Sequence, residues 1–228
     1  MKANRLSISV IIKPQRSIKS TKIFGEVVPM AAQFSFFEST NRLEGFRYQR
    51  VFIEHDEEER LVARVRELQF QEFDFHGFKG KRRVVSFGWK YEYAGRGELR
   101  KADEIPEFLL GLRLRAALFA AVDADAFQHV LVTEYGPGAG IGWHRDKAVF
   151  GQVVGVSLLA PCVLRFRRKV NQKWDRINIE AEPRSAYHLT GPARTDWEHS
   201  ILRVDSLRYS ITFRTMCADF SKAADERE

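Results

Sequence analysis

Only two cysteines, Cys162 and Cys217, occur in the 228 residues. That is too few for a disulfide framework and fits a reducing, cytoplasmic setting. They form no CxxC pair, which removes a cysteine-based zinc site. No run of eighteen apolar residues is present, so no membrane-spanning helix is expected. Internal repeats and low-complexity tracts are also missing, which excludes solenoid and fibrous architectures. Apolar content is not lacking: 44% of residues are hydrophobic and 12% aromatic, enough to fill a core. At this length one domain is the simplest reading, and a monomer is expected.

An excess of positive charge is present but unevenly spread. The chain carries 37 Lys and Arg against 30 Asp and Glu, a net charge of +7. Lys2, Arg5, Lys13, Arg16, Lys19 and Lys22 face only Glu26 within residues 1–29, which leaves 31 basic and 29 acidic residues beyond. The basic balance therefore belongs mostly to this leader, and any nucleic-acid surface must be argued from local patches. Residues 1–29 read as a disordered or over-annotated leader rather than a transit peptide, with Met30 a natural start. Residues 30–228 then form the single domain.

Tyr48–His55 alternates toward a strand. Asp56 is expected to cap a helix to about Leu68, with Leu61, Val62, Val65 and Leu68 at helical spacing. Arg83–Tyr93 is β-branched and aromatic, and Pro106 opens a second helix ending near Val122. Beyond residue 127 short strands are expected near 128–135, 153–159, 162–168, 174–180, 185–189 and 207–216. This order predicts an α+β, mainly β fold: a double-stranded β-helix, or jelly-roll, with helices packed on one side.

Three residues carry the chemistry: His144 and Asp146 in GWHRD, and His199 in DWEHS. Strand residues two apart share a face, so His144 and Asp146 point together. A second histidine from a distant strand completes the two-imidazole, one-carboxylate set of non-haem Fe(II) oxygenases. Taken alone, HxD also describes a surface histidine beside a turn aspartate. Arg208 and Arg214 bracket RYSITFR on one strand face. Buried arginines need an anion, and 2-oxoglutarate offers a carboxylate at its far end; internal ion pairs are the other reading.

Together EYGPGAGIGWHRDK (134–147), LTGPARTDWEH (189–199) and RYSITFR (208–214) resemble the AlkB family of Fe(II)/2-oxoglutarate dioxygenases, over about residues 80–216. The resemblance implies His144, Asp146 and His199 as iron ligands, with 2-oxoglutarate and O2 as cosubstrates. It implies Arg208 on the distal carboxylate, Arg214 near the metal-bound end and a hydrogen bond from Tyr135. Thr133 stands where relatives often carry asparagine, and Ala148 where repair-active relatives often carry an acid that reads the base. Oxidative demethylation of alkylated bases in DNA or RNA is the implied activity. A protein or small-molecule hydroxylase, or a non-catalytic nucleic-acid-binding barrel, is the alternative.

Residues 80–101 resemble that family's nucleotide-recognition lid. Arg83, with Lys81, Arg82 and other basic residues, surrounds Trp89, Tyr91 and Tyr93. Basic groups can follow phosphates while aromatics stack on an extruded base of single-stranded nucleic acid, although an ordinary hairpin fits the alternation equally well. In LRFRRK, Arg165 and Arg167 share a face and read as a solvated strand, with a phosphate-facing edge as the other reading. His76, His129 and His188 read as structural rather than ligating, Trp143 and Trp197 as packing, and Cys162 as a buried strand residue.

Overall fold

A computed structural model describes residues 42–75, 78–92 and 98–217. The expected leader lies outside them, as do His76 and Tyr93. The first half contains β1 (Phe46–Gln49), α1 (His55–Arg66), β2 (Gln71–Phe75), β3 (Phe78–Glu92), β4 (Glu98–Lys101) and α2 (Glu107–Ala120). Then follow β5 (Phe127–Tyr135), β6 (Ile141–His144), β7 (Phe150–Leu158), β8 (Cys162–Val170) and β9 (Lys173–Ala181). The chain closes with β10 (Ala186–Leu189), a short α3 (Gly191–Thr195), β11 (Glu198–Ile201) and β12 (Arg208–Met216).

The strands form two antiparallel sheets. The larger runs β1-β10-β7-β12-β5-β3-β2, with β4 on β3; the smaller runs β6-β11-β8-β9. This is the jelly-roll expected from the strand spacing, and its helices cover one face of the larger sheet. There Leu61, Val65, Leu109, Leu112 and Ala116 pack against Phe127, Val156, Ile211 and Phe213. A second core lies between the sheets, built on Val153, Leu164, Phe166, Ile179, Leu189 and Trp197. Each large apolar side chain so buried contributes roughly 1.5–3 kcal/mol.

Local expectations shift in two places. The first strand is shorter and earlier than 48–55, ending at Gln49. Helix α1 begins at His55 with Glu54 as its N-cap, so Asp56 sits inside the first turn, where it still suits the helix dipole. Within the lid-like segment 80–101, the first half of β3 is a member of the larger sheet, paired with β5, and its second half pairs with β4.

β12 decides where the chemistry sits. Tyr209, Ile211 and Phe213 belong to the helix-side core. Strand alternation therefore turns Arg208, Ser210, Thr212 and Arg214 into the space between the sheets.

Candidate metal and cosubstrate site

β6 and β11 pair antiparallel with His144 directly opposite His199. Directly opposed residues share a face, so the two imidazoles stand together, ring centroids 4.3 Å apart. His144 Nδ1 lies 2.9 Å from the Gly142 carbonyl. A carbonyl only accepts, so Nδ1 carries the proton and Nε2 keeps its lone pair. That is the second bond that orients histidine metal ligands.

Asp146 lies just beyond β6, in a loop rather than in the strand. Its Oδ2 is 3.7 Å from His199 Nε2. Its Oδ1 accepts from Arg214 Nε and a terminal Arg214 nitrogen at 3.1 and 3.0 Å. Burial alone would raise this carboxyl, but Arg214 and then the two histidines outweigh it and hold it far below the usual range. Burial, reinforced by His144, lowers His199 to about 3, and burial also lowers His144. All three donors are thus unprotonated at neutral pH, as metal ligands must be.

The donors are adjacent but not yet convergent. Among the described residues, no group of three His, Cys, Asp or Glu side chains is arranged to hold a metal ion as it stands. Arg214 holds Oδ1 of the carboxylate, and Oδ2 remains turned to His199. Two neutral imidazoles and one carboxylate, with the His144 tautomer fixed, nonetheless fit the chemistry of a non-haem iron site.

The two arginines behave differently. Arg214 is ion-paired, whereas no described carboxylate pairs with Arg208. Arg208 is fully buried, its guanidinium lies 4.9 Å over the Tyr135 ring, and Nε donates to Ser157 Oγ at 3.0 Å. One terminal nitrogen has no hydrogen-bond partner. A buried cation in this state is costly and makes a ready receptor for a carboxylate. Tyr135, opposite Arg208 on β5, is also buried; burial raises its phenol, which remains a donor at neutral pH. Buried Thr133, Ser157, Ser210 and Thr212 give the surrounding sheet face a polar floor.

Two residues escaped the sequence reading. Tyr187 on β10 faces Gly155 on β7, and a Cβ at position 155 would collide with its ring. Its buried phenol, raised by burial, interacts with Tyr135, Arg208, Asp146 and Arg214, so it stands between the two ends of the site. Gly155→Val is expected to expel this ring and cost about 1–3 kcal/mol; urea unfolding would show an unchanged midpoint if the packing were looser. Arg194 donates to the carbonyls of Lys147 and Phe150, both at 2.6 Å, and so clamps the loop that carries Asp146.

On the substrate side the basic run divides by strand parity. Arg82 pairs with Tyr135 in the β3–β5 register and is close enough to influence both Tyr135 and His144. Arg83 belongs to the opposite face: it donates to Glu134 at 2.7 Å and lies 5.7 Å over Phe70. Of the two, Arg82 is therefore the one on the Tyr135 face, and Arg83, the expected substrate residue, is engaged by Glu134 on the other. Trp89 is half-buried opposite Lys101, and Tyr91 lies in the same strand opposite Leu99; Tyr93 is outside the described residues.

His129 and His188 are structural in setting. His129 is buried opposite Arg214 with its ring 4.6 Å from Phe150. His188 donates from Nε2 to Gln152 at 2.7 Å while Nδ1 accepts from Arg47. Burial, and then Arg47, lowers His188 to about 4. The folded value lies below the ordinary one near 6.5, so the unfolded chain takes the proton first. This stability is full above about pH 6.5 and is lost as pH falls toward 4, by at most about 1.4 kcal/mol per pH unit. Denaturant midpoints near pH 7 and near pH 5 should differ accordingly; equal midpoints would contradict it.

A model of the 2OG-Fe(II) oxygenase superfamily matches residues 45–214. The alkylated DNA repair protein ALKBH8 homolog of Arabidopsis thaliana is 28% identical over 169 residues, covering 59% of this chain and 49% of that protein. The mouse mitochondrial alpha-ketoglutarate-dependent dioxygenase alkB homolog 7 is 35% identical over 94 residues, covering 40% of this chain and 41% of that one. The chain thus matches less than half of the length of either relative. An uncharacterized protein, L905, of Acanthamoeba polyphaga mimivirus is 26% identical and is matched over 91% of its length, with 82% of this chain covered. The fold agrees with that of OsALKBH1 (TM-score 0.55, 16% identity, 75% of this chain and 98% of that one). It also agrees with a Pseudomonas putida prolyl-4-hydroxylase (TM-score 0.54, 14% identity, 83% and 100%). With AlkB homologues among its relatives, the chain belongs to the 2OG-Fe(II) oxygenase superfamily, a family of dioxygenases that implies Fe(II), 2-oxoglutarate and O2.

Proposed function

We propose that this oxygenase demethylates alkylated bases in single-stranded DNA or RNA. His144, Asp146 and His199 would hold the iron, with Arg214 and Arg194 setting the position of Asp146. Arg208 and Tyr135 would receive the distal carboxylate of 2-oxoglutarate, with Thr133 and Tyr187 along the way between. Bound iron supplies the oxidising chemistry: O2 is activated at the expense of 2-oxoglutarate decarboxylation, and hydroxylating an N-methyl group releases formaldehyde. The protein's own part is positional. Arg214 neutralises Asp146, Gly142 fixes the His144 tautomer, and the apolar layer of Phe166 and Trp197 limits water behind the imidazoles.

The observation that carries the oxygenase assignment is the buried, partly unsatisfied Arg208 guanidinium in the same inter-sheet space as the two imidazoles. Nucleic acid as substrate is supported by Arg82 at the site and by the Arabidopsis relative named as an alkylated DNA repair protein. Ala148, where relatives often have an acid, favours the second reading, a protein or small-molecule substrate. The deciding experiment incubates methylated single-stranded DNA and RNA with iron, 2-oxoglutarate and ascorbate. Mass spectrometry follows the methyl groups and succinate is quantified in the same tubes, with His199→Ala as control. Methyl loss that vanishes in the variant is expected. Succinate formed in a His199-dependent way without methyl loss would overturn the nucleic-acid substrate and keep the oxygenase.

A further inference from the structure

The outer face of the smaller sheet carries an aromatic and cationic ladder that the inter-sheet site does not use. Along β8, Leu164 and Phe166 are buried inward while Arg165 and Arg167 point outward. Along β9, Ile177 and Ile179 are buried while Trp174, Arg176 and Asn178 are exposed. Trp143 lies next to His144 on β6, so alternation turns it outward as His144 turns inward. The Trp143 ring lies 4.8 Å from the Arg165 guanidinium and 4.4 Å from that of Arg167. Arg167 in turn lies 4.3 Å from Trp174, which is 40% exposed.

Hydrogen bonds hold this ladder in place. Arg165 Nε donates to Ser200 at 3.0 Å, and Arg167 Nε donates to Glu198 at 2.6 Å. Each bond uses the Nε side of a guanidinium that has five N–H donors, so further donors remain for a ligand. Lys169 and Arg176 add positive charge in the same register, against Glu180 and Glu198. Stacked guanidinium planes beside an exposed indole suit a chain of alternating anions and flat rings better than an acidic peptide, which has anions only.

We propose that this face is a docking strip for the single-stranded nucleic acid that flanks the target base. Phosphates would lie on Arg165, Arg167 and Arg176, and a base would stack on Trp174. The strip crosses the sheet from β9 to β6, and β6 leads directly into the loop of Asp146, so a strand lying along it runs toward the rim of the site. The proposal rests on the nucleic-acid reading above, and its test separates the two.

The test is fluorescence anisotropy of a labelled, unmethylated oligothymidylate titrated with the full-length, iron-loaded protein over a range of salt. Trp174→Ala is expected to weaken binding by roughly 5- to 100-fold, the worth of one stacked base. Arg176→Ser should reduce the slope of log affinity against log salt by about 0.7, one single-strand phosphate contact. Both side chains are exposed, so thermal midpoint and substrate-independent succinate formation should match the parent. Unchanged affinity and slope in both variants would overturn the strip. So would poly-glutamate competing as well as an oligonucleotide of equal charge, since that assigns the face to an acidic protein. If the variants lose affinity while every methylated oligonucleotide stays intact, the strip stands and demethylation falls. If methyl groups are removed while the variants bind as the parent does, the reverse holds.

Discussion

Arg208→Met is expected to make the cosubstrate-free protein at least as stable as the parent while removing its response to 2-oxoglutarate. The two halves of this result have one cause. Arg208 is fully buried with a terminal nitrogen unsatisfied, so the folded protein carries its desolvation cost without an ion pair to offset it. Replacing buried ionic groups by apolar ones of similar volume is often neutral or stabilising by about 1–4 kcal/mol. Losing a buried hydrogen-bonded charge partner of a ligand costs about 2–5 kcal/mol, or roughly 30- to 1,000-fold and more in affinity. In the parent, 2-oxoglutarate at a hundred times its dissociation constant should add about 2.7 kcal/mol of stability. Thermal unfolding with and without the cosubstrate reads both quantities. A variant that unfolds early yet still responds to 2-oxoglutarate would make the guanidinium a structural strut.

Asp146→Asn and His199→Ala should both stop succinate formation, and they should part company in stability. Partners that merely orient a metal ligand are worth about 10–100-fold, so loss of a ligand itself is expected to exceed about 100-fold. Asp146 is also the counter-ion of the half-buried Arg214, at 3.0 Å. Asn at 146 leaves that guanidinium without its charge partner, and breaking a buried pair costs about 3–5 kcal/mol. His199 is neutral at neutral pH, so alanine there removes packing and no charge. Chemical denaturation of the two variants, beside a colorimetric measure of bound iron, distinguishes these effects. Equal stability would mean that the Arg214–Asp146 pair contributes little to the fold.

The parts of the site legible in the sequence are those set by strand periodicity within one segment. Arg208 and Arg214 are fixed relative to each other by the two-residue repeat of β12, whereas Asp146 lies in the loop after β6 and stays beside His144 through sequence proximity and its bond to Arg214; the structure brings all four into the inter-sheet space with His199. What depends on pairing between segments was hidden. Lys81, Arg82 and Arg83 are all basic, so the run has no phase of its own; only the register with β5 decides that Arg82 faces Tyr135. Tyr187 acquires its place from Gly155 across a strand pair 32 residues away in sequence. The strands β6 and β11 are four residues each, too short for alternation to reveal. Arg194 lies in a helix of five residues, and its contact with the 147–150 loop leaves no local pattern. The ion pair between Arg214 and Asp146 was half anticipated, since an internal partner was the stated alternative for both arginines.

The imidazoles ride on one sheet of the sandwich and the Arg208 guanidinium on the other. Any molecule that engages both acts as a strut between two layers that are otherwise joined here by side-chain packing and the Arg214–Asp146 ion pair. Its arrival should slow amide hydrogen exchange in β6, β11 and β12 together, whereas an anion held by Arg208 alone should protect β12 and leave the smaller sheet unchanged. Because turnover consumes 2-oxoglutarate, the strut would be dismantled in every cycle. The sandwich would then tighten and relax once per reaction, opening its rim each time the next substrate has to enter.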